Sequence, residues 1–129
     1  MSQLKVFLEK FSKALHRLEE VLSLQDKNPI VRDSAIQRFE FLFDLAWKTL
    51  KLYLEEVHGL ECRSPKSCIR FAYSLGLIEH DEYWLRICDY RNLTSHTYDE
   101  ELADRVFEEL PRVFSYMKRL YSVLSEEPE

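Results

Sequence analysis

Two glycines and four prolines are all that could interrupt 129 residues, and between those breaks the apolar side chains recur every three or four positions. That spacing belongs to helices, since alternation would mark strands. Leu4, Phe7, Leu8, Phe11, Leu15, Leu18 and Leu22 form the stripe of a first helix, with Ser2 as its N-cap and "QDKNP" as its exit. Asn28 before Pro29 starts a long second helix, because proline at the first helical position loses only an N–H that had no partner. Gly59 supplies the left-handed end of that helix. Ser64 and Pro65 open a short third helix that Gly76 closes. Asp81 caps a fourth, "EYWLRICDYRNLTSH", and Asp99 caps a last one from about Glu100 to Leu124, with a kink expected at Pro111. The expected fold is all-α: an antiparallel four-helix up-and-down bundle with one additional short helix, in a single domain over residues 1–129. With 46% apolar residues and 13% aromatics the chain can fill such a core.

The second helix carries two apolar faces. At 100° per residue, Ile36, Phe39, Phe43, Ala46, Trp47, Leu50 and Leu54 share one side, and Phe41, Leu45 and Leu52 sit nearly opposite. Glu40, Asp44, Lys48, Lys51 and Glu55 make a polar wedge between them. Phe41, Leu45 and Leu52 are covered either by a neighbouring helix or by a second subunit.

Several function classes are excluded early. The net charge is −5 with both signs interspersed, so no long basic tract announces DNA or an anionic membrane. The N-terminal segment is charged every few residues, unlike a signal peptide, and no apolar run approaches the roughly 20 residues of a membrane span. The expected location is cytoplasmic. Cys62, Cys68 and Cys88 are odd in number and lack CxxC spacing, so they read as unpaired buried thiols, without a disulfide or a zinc site. His80, Asp81 and Glu82 read as a helix cap with first-turn acids in preference to a metal site. His16 and His58 read as surface residues. No metal and no cofactor are expected.

"RNLTSHTY", residues 91–98, departs from the helical pattern. Trp84, Ile87, Cys88 and Arg91 fall in one narrow sector, which aims Arg91 at packed surface. A guanidinium there needs a partner, and an internal salt bridge to an Asp or Glu is the plainer of two possibilities. The other is an anionic ligand: guanidinium grips phosphate oxygens through two parallel bonds, and imidazole moves a proton near neutral pH. His96 lies about 140° round from Arg91 on an ideal helix. The two converge only if the helix ends near Thr94 or if two subunits share the site across a twofold axis.

Three stretches give this motif a context. "RDSAIQRFEFLFDLAWKTLK", "RSPKSCIRFAYSLGLI" and "RNLTSHTYDEELA", in that order, resemble the HEPN superfamily of small helical bundles. More closely, the chain is similar to the helical proteins encoded beside minimal nucleotidyltransferases, the nucleotidyltransferase substrate-binding or HepT-type proteins. The resemblance spans about Ser2 to Leu124. It implies that Arg91 holds a scissile phosphate, that His96 acts as acid or base while the RNA 2′-hydroxyl attacks, and that Asn92 orients either one. It further implies a homodimer in which the motifs of two subunits meet. Tyr98, completing RxxxxHxY, corresponds to the tyrosine on which the partner nucleotidyltransferase places AMP to silence a HepT toxin. The implied function is a metal-independent endoribonuclease in a toxin-antitoxin pair.

The competing expectation is a non-catalytic subunit that docks a nucleotidyltransferase and presents a nucleotide or other substrate. Acidic balance disfavours RNA capture, although Arg63, Lys66 and Arg70 offer a small local basic patch. The chain is not itself a nucleotidyltransferase: that chemistry uses a Gly-Ser pair with metal-holding aspartates, and neither glycine here precedes a serine.

Overall fold

The computed structural model describes residues 2–126. Helix α1 runs Gln3–Leu22, α2 Pro29–His58, α3 Pro65–Ser74, α4 Tyr83–Leu93 and α5 Glu100–Ser125, with a 3-10 turn at Thr94–His96. The chain is an all-α antiparallel bundle, with no strand among the described residues.

The helix boundaries follow local chemistry. Ser2 Oγ accepts from the Lys5 amide at 3.3 Å, Asn28 Oδ1 from Val31 at 2.9 Å and Ser64 Oγ from Ser67 at 3.2 Å. Ser67 Oγ accepts in return from the Ser64 amide at 3.1 Å, closing a reciprocal cap. Asp99 Oδ1 accepts from Glu101 and Leu102, and acids at Glu100 and Glu101 face the positive end of the α5 dipole. Gly59 takes φ +65°, a conformation that costs a side-chain-bearing residue, and turns the chain out of α2. Helix α5 continues through Pro111 without stopping.

Helix α2, about 45 Å long, is the bundle's spine. It packs against α1, α5, α3 and α4, the last reaching its middle through Arg91 on Glu40 and Asp44. Ile36, Phe39, Phe43, Ala46, Leu50 and Leu54 are buried as expected, and Leu42 and Thr49 join them because four neighbouring helices widen the covered arc. Phe11 meets Tyr121 edge-on across α1 and α5 at 5.3 Å. Arg32 is also buried. It bridges the start of α2 to the start of α5 through Asp104 at 2.9 Å and Glu100 at 3.5 Å, with Asp33 at 2.9 Å beside it.

The α3, α4 and α5 segments meet in an aromatic cluster. Asp81 Oδ1 accepts the Tyr83 amide at 2.9 Å, and its other oxygen takes the Tyr116 hydroxyl, so the carboxylate closes the entrance of α4, which begins at Tyr83, one residue later than expected, with Glu82 at the cap position. The Tyr116 hydroxyl, followed by the Tyr83 amide, pulls the Asp81 pKa below the usual carboxylate range. Tyr73 donates to the Asp81 carbonyl at 2.5 Å, and burial raises its phenol to about 12. Tyr83 donates to Glu109 at 2.8 Å beneath the Arg112 guanidinium, 4.0 Å from its ring. His80 stacks on Tyr73 at 4.5 Å. Of the remaining imidazoles, His16 is exposed near Glu19 at 3.9 Å and His58 is exposed beside the Tyr53 ring.

The cysteines correct the sequence reading. Cys62 and Cys68 form a disulfide, with Cα atoms 5.2 Å apart. The loop leaving Gly59 returns along the first turn of α3, so residues flanking the Ser64 cap come face to face. Cys88 is free and buried, and desolvation raises its thiol pKa to about 11.

Candidate functional site

The expected fourth helix stops three residues short of His96. Thr94, Ser95 and Thr97 explain the change, since each hydroxyl donates three residues back to a main-chain carbonyl. Thr94 Oγ1 reaches Arg91 O at 2.6 Å, Ser95 Oγ reaches Asn92 O at 2.9 Å and Thr97 Oγ1 reaches Thr94 O at 3.1 Å. These bonds take up carbonyls that a continuing α-helix would have used, and the backbone tightens into the 3-10 turn. The small polar residues in "NLTSHT" therefore have a structural role: they end α4 and swing His96 and Tyr98 outward.

Arg91 stays anchored at the base of this turn. Its Nε and Nη2 donate to the two oxygens of Asp44 at 3.2 and 3.1 Å, a bidentate pair. Nη1 donates to Thr94 Oγ1 at 2.9 Å and to Glu40 Oε2 at 3.4 Å. The internal salt bridge is thus the observed partner of Arg91, and Asp44 and Glu40 in the α2 polar wedge supply it. The Arg91 side chain retains 27% exposure. Four contacts to a group with five N–H donors leave little unengaged. A phosphate gripping the same edge must displace Asp44.

His96, Asn92 and Tyr98 are exposed, Tyr98 at 84%. The His96 and Tyr98 rings lie edge to face, with centroids 6.1 Å apart. No hydrogen bond, ion pair or ring contact joins His96 to Arg91 among the described residues. Asn92 lines a cavity of about 280 Å³ with Phe43, Ser64, Pro65, Lys66 and Cys88. The site brings together a clamped guanidinium, an accessible imidazole and an accessible phenol, around a turn fixed by side-chain hydrogen bonds. Among the described residues no cluster of three His, Cys, Asp or Glu is placed to hold a metal, and no helix is long and apolar enough to cross a membrane.

The second apolar face of α2 divides. Phe41 is 55% exposed and, with the half-buried Leu45, lines a groove of about 270 Å³ against α1. Leu52, also half-buried, belongs to a separate groove farther along. Sequence reasoning missed Asp44 and Glu40 as the partners of Arg91, and Thr94 as its third contact. The i, i+4 spacing of the two acids was visible, but the face that α4 would cover was not.

A short helical bundle whose last two helices are joined by an Arg-Asn turn ending in an exposed His and Tyr is the protein class defined by this fold and site. The profile of the family described as "Nucleotidyltransferase substrate binding protein like" matches residues 7–126, and the chain belongs to that family. It is 33% identical over 121 residues to "Probable ribonuclease HepT" of Haemophilus influenzae, covering 82% of this chain and 83% of that one. A crystal structure of a Thermus thermophilus protein superposes with a TM-score of 0.86 at 43% identity, over 90% of this chain and 99% of that one. A Haemophilus influenzae structure, described as revealing the fold of a substrate binding domain of a nucleotidyltransferase, superposes with a TM-score of 0.81. Its identity is 28%, over 92% of this chain and 99% of that one.

Proposed function

We propose that the protein is the HepT-type ribonuclease of a two-component toxin-antitoxin pair, acting in the cytoplasm beside a separate minimal nucleotidyltransferase. The observation carrying this reading is the turn at residues 91–98, which anchors Arg91 and presents His96 and Tyr98 to solvent. His96 acts as acid or base toward an RNA 2′-hydroxyl, Arg91 neutralises charge developing on the phosphate, and Asn92 orients the phosphate or His96. No metal ion takes part. Atoms balance within the RNA: the 2′-oxygen bonds to phosphorus, the P–O5′ bond breaks, and a proton passes to the departing 5′-oxygen.

A homodimer brings two such turns together, with Phe41, Leu45 and Leu52 as the interface candidates. Its test is sedimentation equilibrium at micromolar concentration, where a monomer contradicts it. Tyr98 is the acceptor for AMP from the partner, and its 84% exposure leaves the phenol open to transfer. Intact mass after incubation with that partner and ATP should rise by one or more adenylyl groups in wild type and stay unchanged in Tyr98→Phe.

One observation favours a second reading. The Asp44–Arg91 pair is complete within one protomer, so Arg91 also serves a non-catalytic subunit that presents a nucleotide or substrate to its partner. Incubating purified protein with total RNA in EDTA separates the two. Cleavage lost in His96→Ala supports the ribonuclease, and no cleavage by folded, unmodified wild type supports the binding subunit.

A further inference from the structure

Beyond the Arg91 turn, α2 carries a second feature, a groove of about 480 Å³ between α1, α2 and the α2–α3 loop. Its walls include the aromatic rings of Phe7 and Trp47 and the cations Lys48, Lys51 and Arg63. Lys48 and Arg63 are exposed and make no ion pair among the described residues, while Lys51 pairs with Glu55 at 3.3 Å. Three cations beside an aromatic floor give the groove a locally positive lining in a chain of net charge −5.

The groove neighbours the candidate site in two ways. Lys48 lies one helical turn beyond Asp44, which holds Arg91, so the two positions are about 6 Å apart on one stripe of α2. Phe43 and Trp47 are likewise one turn apart. Phe43 lines the cavity that contains Asn92, and Trp47 lines the groove. Arg63 in the α2–α3 loop lines the groove, and the next three residues, Ser64 and then Pro65 and Lys66 of α3, line the cavity. Lys66 is held at 2.9 Å by Asp89, which leaves Lys48 and Arg63 as the free charges of the track.

We infer that this groove seats single-stranded RNA flanking the phosphate at Arg91, with Lys48 and Arg63 against backbone phosphates and a base stacked on Trp47. Cations that follow the backbone, joined to an aromatic surface, are what sequence-tolerant single-strand binding requires. A duplex would present its phosphates but no open base face to Trp47. Leu52, proposed at the subunit contact, also borders the groove. The inference rests on the ribonuclease reading for its ligand, and its test is independent of cleavage.

The probe is a fluorescein-labelled 12-nucleotide 2′-O-methyl RNA, which lacks the attacking hydroxyl and cannot be cut by the proposed route. Its affinity is measured by anisotropy across a salt series for wild type and for Lys48→Ala/Arg63→Ala, with folding checked by circular dichroism. The double variant should bind roughly tenfold more weakly, and its slope of log K against log salt should fall by about 1.4, as expected for two lost single-strand phosphate contacts. An unlabelled copy of the probe should quench indole fluorescence. Quenching should survive Trp84→Phe, because Trp84 is 4% exposed, and vanish in Trp47→Phe. No binding by wild type, or an unchanged affinity and slope in the double variant, overturns the assignment. So does loss of the nucleotidyltransferase partner from the double variant with oligonucleotide affinity intact, because the groove is then a protein contact. Binding with the expected slope but no RNA cleavage removes the ribonuclease reading and upholds the groove. Cleavage with an unchanged slope does the reverse.

Discussion

Arg32 and Arg91 are both inter-helix arginines clamped by acids, and they differ in what surrounds the clamp. Arg32 ties α2 to the start of α5 through two carboxylates, with a third from Asp33 on its own helix, and its side chain is 9% exposed. Hydrogen bonds to Asp104 and Asp33 raise its pKa further above the normal guanidinium value. Arg91 ties α4 to α2 through Asp44 and Glu40, remains 27% exposed, and lies under a turn that displays His96 and Tyr98. The same ion-pair chemistry closes a seam at one end and underlies an accessible surface at the other. An arginine on a buried helix sector therefore does not reveal its role through its partners. The exposure of its neighbours and the backbone that follows it carry that information.

The largest expected effect breaks the comparison at the turn. His96→Ala should lower RNA cleavage in EDTA by about 100-fold or more, the loss typical of a removed general acid or base, with little change in melting temperature because the imidazole is exposed. Asp44→Asn sharpens the point. If Arg91 serves phosphate, removing the competing charge should raise cleavage; if the pair is only a brace, cleavage per folded molecule is unchanged and only stability falls, by about 1 kcal/mol.

Arg32→Met is the matched control. It should cost about 1–2 kcal/mol in urea unfolding, since its partners are exposed and rehydrate on their own, and leave cleavage per folded molecule as in wild type. Asp99→Ala, which removes the cap immediately after the turn, should cost about 1 kcal/mol.

The smallest effect concerns pH and the aromatic end. Tyr73 has its phenol raised to about 12 by burial. A raised folded-state pKa gives stability that is complete below the unfolded value near 10 and is lost as pH climbs through 12. Melting temperature should fall across that interval, and Tyr73→Phe should flatten the fall. Asp81 has the opposite sign. Its lowered pKa contributes stability above about pH 4 that is lost on acidification, so Asp81→Asn should reduce the melting temperature at neutral pH and narrow the gap to wild type in acid.

Much of the architecture was legible because it was encoded locally. Asn28-Pro29, Ser64-Pro65 and Asp99 announce helix starts through their own side chains, and Gly59 and Gly76 mark ends through a backbone freedom other residues lack. Features fixed by tertiary packing were not legible. The Cys62–Cys68 bond depends on how a loop folds back, and the partners of Arg91 depend on which face of α2 receives α4. The early end of α4 lay between these cases. Thr94, Ser95 and Thr97 were in view as small polar residues, but their backbone bonds compete with helix by margins that periodicity does not weigh. Arg32 went unremarked because nothing in its neighbourhood breaks the helical pattern.

The most direct test of a working Arg91 and a bracing Arg32 is the initial rate of RNA cleavage in EDTA, per folded molecule, for wild type, Arg91→Ala and Arg32→Met side by side. The account predicts a loss of about 100-fold or more in Arg91→Ala and a wild-type rate in Arg32→Met. Equal rates in all three proteins would contradict it and reduce Arg91 to a second brace.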